Sequence, residues 1–245
     1  LSGAARTRTM AGSAVQIPLG ADGRCDAHVA HPPRGLAPGG TGAAVVLIPP
    51  IFGTTPAIEE TAQELAAEGY TVVVPDLFWR ILPGPLGYEG ADRDKALDRY
   101  KRFDVAAGVA DLGAIVRWCA KEASSNGKVG IVGVCFGGRY AVLAAADLGA
   151  AAAVSFHGTF IGKHLDALPR IACPTSLHFG EADTQAPMSE VAEIAEAAAG
   201  NANVAVFTYP GAPHGFMQQD RPSHRPDAAR PAWARGLETL KNGLA

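Results

Sequence analysis

Charge, cysteine and long apolar runs are all scarce in this sequence. Only 18% of its 245 residues are charged, and 21 basic against 24 acidic side chains leave a formal net charge of −3. No lysine/arginine block is dense enough to track a phosphate backbone, so nucleic acid is not an expected partner. The most apolar stretches, 43–52 and 143–156, are broken by Pro49-Pro50 and by Asp147 and Gly149. Both fall short of the roughly 20 residues that cross a bilayer, so no membrane span is expected. The four cysteines, Cys25, Cys119, Cys135 and Cys173, form no CxxC pair, and no histidine cluster has metal-ligand spacing. Neither a disulfide framework nor a metal site is suggested, and a reduced, cytoplasmic protein is the simplest reading. Residues 1–10 carry two arginines without the apolar stretch of a secretory signal. Residues 1–20 are read as an N-terminal leader or extension, with Met10 a candidate start, and 21–245 as a single domain, a monomer or a small homo-oligomer.

What the chain does have is apolar residues, 48% of the total, enough to bury a large core. They fall into an alternation. Short β-branched runs at 44–49, 71–75, 128–134, 152–156, 175–179 and 204–209 read as strands. Helical segments are expected at 59–69, 105–123, 137–147, 189–199 and 228–244. Continuous apolar strands alternating with helices imply an α/β fold with a mostly parallel sheet and helices on both faces. The Gly/Pro-rich 78–94 and the proline-rich 221–231 are expected to be loops.

One junction carries chemistry. Gly133-Val134-Cys135-Phe136-Gly137-Gly138 ends a strand and opens a helix, the context of a G-x-S-x-G nucleophile elbow with cysteine in place of serine. The turn forces the nucleophile into a strained conformation, and the flanking glycines let strand and helix pass close by. The helix N-terminus favours the thiolate. Two bland readings compete: a small buried hydrophobe, or a phosphate-binding glycine loop, for which neither G-x-G-x-x-G nor G-x-x-x-x-G-K-[ST] is present. Cys25, Cys119 and Cys173 read as packing residues.

On such a fold the acid and the base follow the nucleophile in chain order, each after a later strand. Asp183 in FGEAD and His214 in GAPHGF stand in those places. Glu181 is the competing acid. His157 and His178 lie at strand ends, whereas His28, His31, His164 and His224 read as surface or loop residues. The oxyanion hole needs the backbone N–H after the nucleophile, Phe136, and one from the loop after an early strand. In Pro49-Pro50-Ile51-Phe52-Gly53 the donor falls to Ile51, because proline has no N–H.

Taken together, PPIFG near residue 50, PDLFWR at 75–80, NGKVGIVGVCFGG at 126–138, FGEAD and GAPHGF resemble the dienelactone hydrolase (carboxymethylenebutenolidase) family of α/β-hydrolases, from about residue 45 to the C-terminus. The resemblance implies hydrolysis of a small lactone or ester through an acyl-cysteine intermediate, with Cys135, Asp183 and His214 as triad and no cofactor. It also implies that Arg80 binds a substrate carboxylate. Two positions depart from the family pattern: Pro50 stands where a glutamate assists thiolate formation, and Gln218 where a second arginine binds the anion. Two other readings stay open: a general carboxylesterase or thioesterase, and a non-catalytic ligand-binding relative.

Overall fold

A computed structural model describes residues 12–20, 23–33, 42–124 and 126–245. Eight strands form one sheet: β1 (Ser13–Pro18), β2 (Arg24–Ala30), β3 (Ala44–Ile48), β4 (Thr71–Pro75), β5 (Val129–Val134), β6 (Ala152–Phe156), β7 (Thr175–Gly180) and β8 (Val204–Tyr209). Their order is β1-β2-β4-β3-β5-β6-β7-β8. At one edge β1 pairs with β2 and β2 with β4, both antiparallel, and the remaining pairs are parallel. Every residue of β3, β5, β6 and β7 is buried, as a parallel sheet covered on both faces requires.

The helices are α1 (Pro56–Ala67), α2 (Gly90–Lys101), α3 (Val105–Trp118), α4 (Gly137–Asp147), α5 (Met188–Ala198) and α6 (Pro226–Leu244). A π turn, Cys119–Ala123, closes α3, and a kinked segment of 3-10 turns, Ile161–Arg170, follows β6. No helix among the described residues is long and apolar enough to cross a membrane.

Four expectations need correction. Part of the supposed extension, Ser13–Pro18, is edge strand β1, and residues 1–11, including Met10, lie outside the described residues. β2 was not expected either, and it carries His28. In both strands burial tends to alternate rather than run continuously, so they lack a buried strand's signal. The expected loop over 78–94 ends early, because α2 begins at Gly90. Pro226 opens α6 and Pro231 lies inside it. A proline at the first helical position costs nothing, because that N–H has no intrahelical partner.

Candidate active site

The loops at the carboxyl ends of β3, β5, β6, β7 and β8 supply the candidate residues. Cys135 follows β5 with φ of 55°, a conformation uncommon for a residue with a Cβ. Its backbone is tied down on both sides. The Cys135 N–H donates to the Phe156 carbonyl at 3.0 Å, and its own carbonyl accepts from Gly138 at 2.9 Å and Thr159 at 3.1 Å. A Cβ on Gly133 would overlap the Gly137 carbonyl, and one on Gly137 would overlap the Ile48 carbonyl. Glycine at both positions is therefore what allows the elbow to close.

Asp183 follows β7 and His214 follows β8. The structure brings both to Cys135. His214 Nδ1 lies 2.8 Å from Asp183 Oδ2, and His214 Nε2 lies 3.1 Å from the Cys135 sulfur. Asp183 Oδ1 also accepts from the backbone N–H groups of Gln185, at 2.7 Å, and Ala186, at 3.2 Å. The carboxylate is thereby held in one orientation. Burial alone would lower the basicity of His214, but its hydrogen bonds to Asp183 and Cys135 outweigh it and raise the imidazole to about 9. Glu181, the competing acid, accepts from Thr208 at an exposed site.

The Pro50 carbonyl accepts from Gly53 at 2.9 Å. Across a trans peptide this points the Ile51 N–H away from that turn. The Ile51 carbonyl is gripped by Arg99, through Nε at 2.9 Å and Nη2 at 2.7 Å. Arg99 is fully buried and donates further to Leu82 and Gly84. Sequence reasoning missed it, because a charged residue on a short polar helix carries no sign that it points inward.

His157 was also undervalued. It is fully buried at φ of 39°, and its ring meets that of His214 edge-on, with centroids 4.9 Å apart. Burial first, and then the His214 charge, hold it well below the usual histidine range. His178 instead bonds Tyr209 at 2.9 Å and Ser176 at 3.0 Å.

Arg80 is not brought to this cluster. Its guanidinium forms a two-pronged pair with Asp111 of α3 and stacks on Trp79 at 3.9 Å, and Trp79 donates to the same carboxylate. The expected carboxylate-binding residue is thus engaged by a carboxylate of its own chain. Gln218 is buried, with an amide nitrogen that finds no acceptor. A cavity of about 370 Å³ lies between α1 and α6, against Val134, Phe156, Met217 and Trp233, and none of Cys135, Asp183 and His214 lines it. Among the described residues, no group of His, Cys, Asp or Glu side chains could hold a metal ion.

The family model for the dienelactone hydrolase family matches residues 26–244. The chain belongs to that family. It is 33% identical to a carboxymethylenebutenolidase of Pseudomonas sp. (strain P51), over 89% of this chain and 90% of the relative. To carboxymethylenebutenolidase 1 of Cupriavidus pinatubonensis it is 32% identical, over 94% and 97%. In fold it resembles a dienelactone hydrolase-like promiscuous phosphotriesterase, P91, from metagenomic libraries, with a TM-score of 0.72 at 20% identity over 96% of this chain and 99% of that one. As a member of the dienelactone hydrolase family, the protein is an ester or lactone hydrolase.

Proposed function

We propose that this family member hydrolyses a small lactone or carboxylic ester through an acyl-cysteine intermediate, with Cys135 as nucleophile, His214 as acid and base, and Asp183 as its orienting group. The observation that carries the reading is the unbroken line from Asp183 Oδ2 through the His214 ring to the Cys135 sulfur, with steps of 2.8 and 3.1 Å. Nucleophile, base and orienter within hydrogen-bond reach are the geometric requirement for this chemistry.

The thiolate attacks the carbonyl carbon, and the resulting oxyanion is met by the N–H groups of Ile51 and Phe136. Collapse expels the alkoxide, which takes the proton held at His214 Nε2. With a lactone, that alcohol stays on the acyl group. His214, now neutral, removes a proton from water; the hydroxide attacks the thioester, and the thiolate leaves as the carboxylic acid forms.

Mixing enzyme with a slowly hydrolysed ester and measuring intact mass tests this directly. The expected adduct has the mass of the acyl group, maps to the Cys135 peptide and is absent from Cys135→Ala. Turnover by Cys135→Ala at the wild-type rate would sink the reading, since losing a nucleophile costs several powers of ten.

A further inference from the structure

The loop after β3 has each carbonyl from Pro50 to Phe52 tied to a donor. The Pro50 carbonyl accepts from Gly53 at 2.9 Å, that of Ile51 from Arg99, and that of Phe52 from Leu86 at 2.9 Å. A planar peptide whose carbonyl is held also has its N–H held. The Gly53 bond therefore sets which way the Ile51 N–H points, and Arg99 sets where Ile51 sits. Gly53, at φ of 75°, leaves room for the clamp, since a Cβ there would stand 3.0 Å from the Gly84 carbonyl and 3.1 Å from Arg99 Nη2.

Arg99 reaches this loop from α2 and is fully buried. Its Nε and Nη2 converge on the one Ile51 oxygen, and Nη1 donates to Leu82 and Gly84, at 2.8 Å each. The Gly84 N–H is in turn held by Asp76 at 2.6 Å, so the segment that supplies Leu86 is anchored from both sides. No carboxylate accepts directly from Arg99 among the described residues. A buried guanidinium without a hydrogen-bonded carboxylate is a costly staple. What it offers beyond a staple is a rigid planar fork.

The fork also bears on the second loop. Arg99 lies over the Phe78 ring at 4.3 Å, and Phe78 packs on Phe136 with ring centroids 5.0 Å apart. β3 and β5 are paired up to Ile48 and Gly133, so the loop carrying Ile51 and the elbow carrying Phe136 leave the sheet side by side. One buried side chain thus touches the surroundings of both backbone donors invoked for the oxyanion.

Resting on the hydrolase reading above, we infer that Arg99 is a positioning residue for the oxyanion hole. It holds Ile51 directly, and Phe136 through Phe78, at the spacing that receives the developing charge. Donors aimed in advance need no reorganisation when that charge appears. The contribution of Arg99 therefore belongs to attack on the carbonyl and not to the reactivity of the thiol.

The test sets two reactions of one sulfur side by side. Acylation of Cys135 by 4-nitrophenyl acetate puts negative charge on the carbonyl oxygen, whereas alkylation by iodoacetamide forms the S–C bond as iodide leaves and puts none there. In Arg99→Met, kcat for the ester should fall about 10- to 100-fold, short of the roughly 100- to 1,000-fold that follows loss of an oxyanion donor itself. KM should stay within about threefold, as for an interaction made only in the transition state. Alkylation of Cys135, followed by peptide mass, should stay within about twofold. Arg99→Lys keeps a cation without the fork, should fall less, and serves where the methionine variant does not fold. A kcat within about twofold of wild type in a folded variant overturns the inference, and so does an equal fall in alkylation, which would make Arg99 structural only. A wild type whose Cys135 alkylates but which releases no nitrophenolate sinks the hydrolase reading, and the inference with it.

Discussion

The His157 ring stands edge-on to the His214 ring, at an interplanar angle of 83°, with no polar partner on either of its own nitrogens. Two buried imidazoles in contact cannot both be charged. The proton resides on His214, which Asp183 and Cys135 raise to about 9, while burial and the His214 charge keep His157 neutral.

The first prediction concerns pH and rate. In the proposed mechanism an imidazolium at His214 protonates the leaving alkoxide; it is present below about 9 and is lost as pH rises through that value. With a neutral ester, kcat/KM should therefore fall above about pH 9. Asp183→Asn removes the carboxylate that helps hold the proton, so the falling limb should move to lower pH and the plateau should drop at least about 100-fold. An unmoved limb in that variant would assign it to another group.

Arg80→Ala should act on stability more than on substrate choice. Asp111 is 5% exposed on its side chain whereas Arg80 is 45% exposed, so truncating Arg80 leaves a buried carboxylate with the Trp79 indole as its remaining donor. Discounted for solvent at Arg80, the expected loss is about 1–2 kcal/mol in urea denaturation. The anionic-to-neutral selectivity should change less than about twofold. A tenfold loss of that selectivity would return Arg80 to the substrate.

His178 links folding to acid. Burial first, and then Arg235, lower it from 6.5 to about 3. A histidine depressed in the folded state leaves stability intact above about 6.5 and subtracts from it as pH falls toward 3, because only the unfolded chain then takes the proton. His178→Phe, in a site flanked by Phe156 and Phe207, should flatten the fall of unfolding free energy between pH 6 and 4 by about 1.4 kcal/mol per pH unit. Equal slopes in the two proteins would contradict this.

Gly133→Ala should cost about 3 kcal/mol and abolish turnover, because its Cβ has no room beside the Gly137 carbonyl. Gly200→Ala is the control: a Cβ there meets nothing within 4 Å, and the change should stay within about 0.5 kcal/mol. Thermal melts of the two variants decide it.

The core strands and the clustering of Cys135, Asp183 and His214 were legible because their signals are local. β3, β5, β6 and β7 are buried on both faces and so read as continuous apolar runs. Cys135, Asp183 and His214 each follow a strand, in chain order, among glycines that their turns require. Edge strands β1 and β2, of mixed polarity, and the polar helix α2 carry no such mark.

The arginines show where local reading ends. The family resemblance made Arg80 the anion-binding candidate and left Arg99 and Arg139 unremarked. A guanidinium is the same group in all three places, and its task depends on which partners the fold brings to it. Those are a carboxylate from α3 for Arg80, three carbonyls for Arg99, and for Arg139 aromatic rings with no counter-charge. Such partners lie as far as 48 residues away along the chain, as Ile51 does from Arg99. Pattern and spacing determined the parallel core of the sheet, the elbow and the chain order of Cys135, Asp183 and His214, while only the packed structure decided which buried charge meets a counter-charge and which does not.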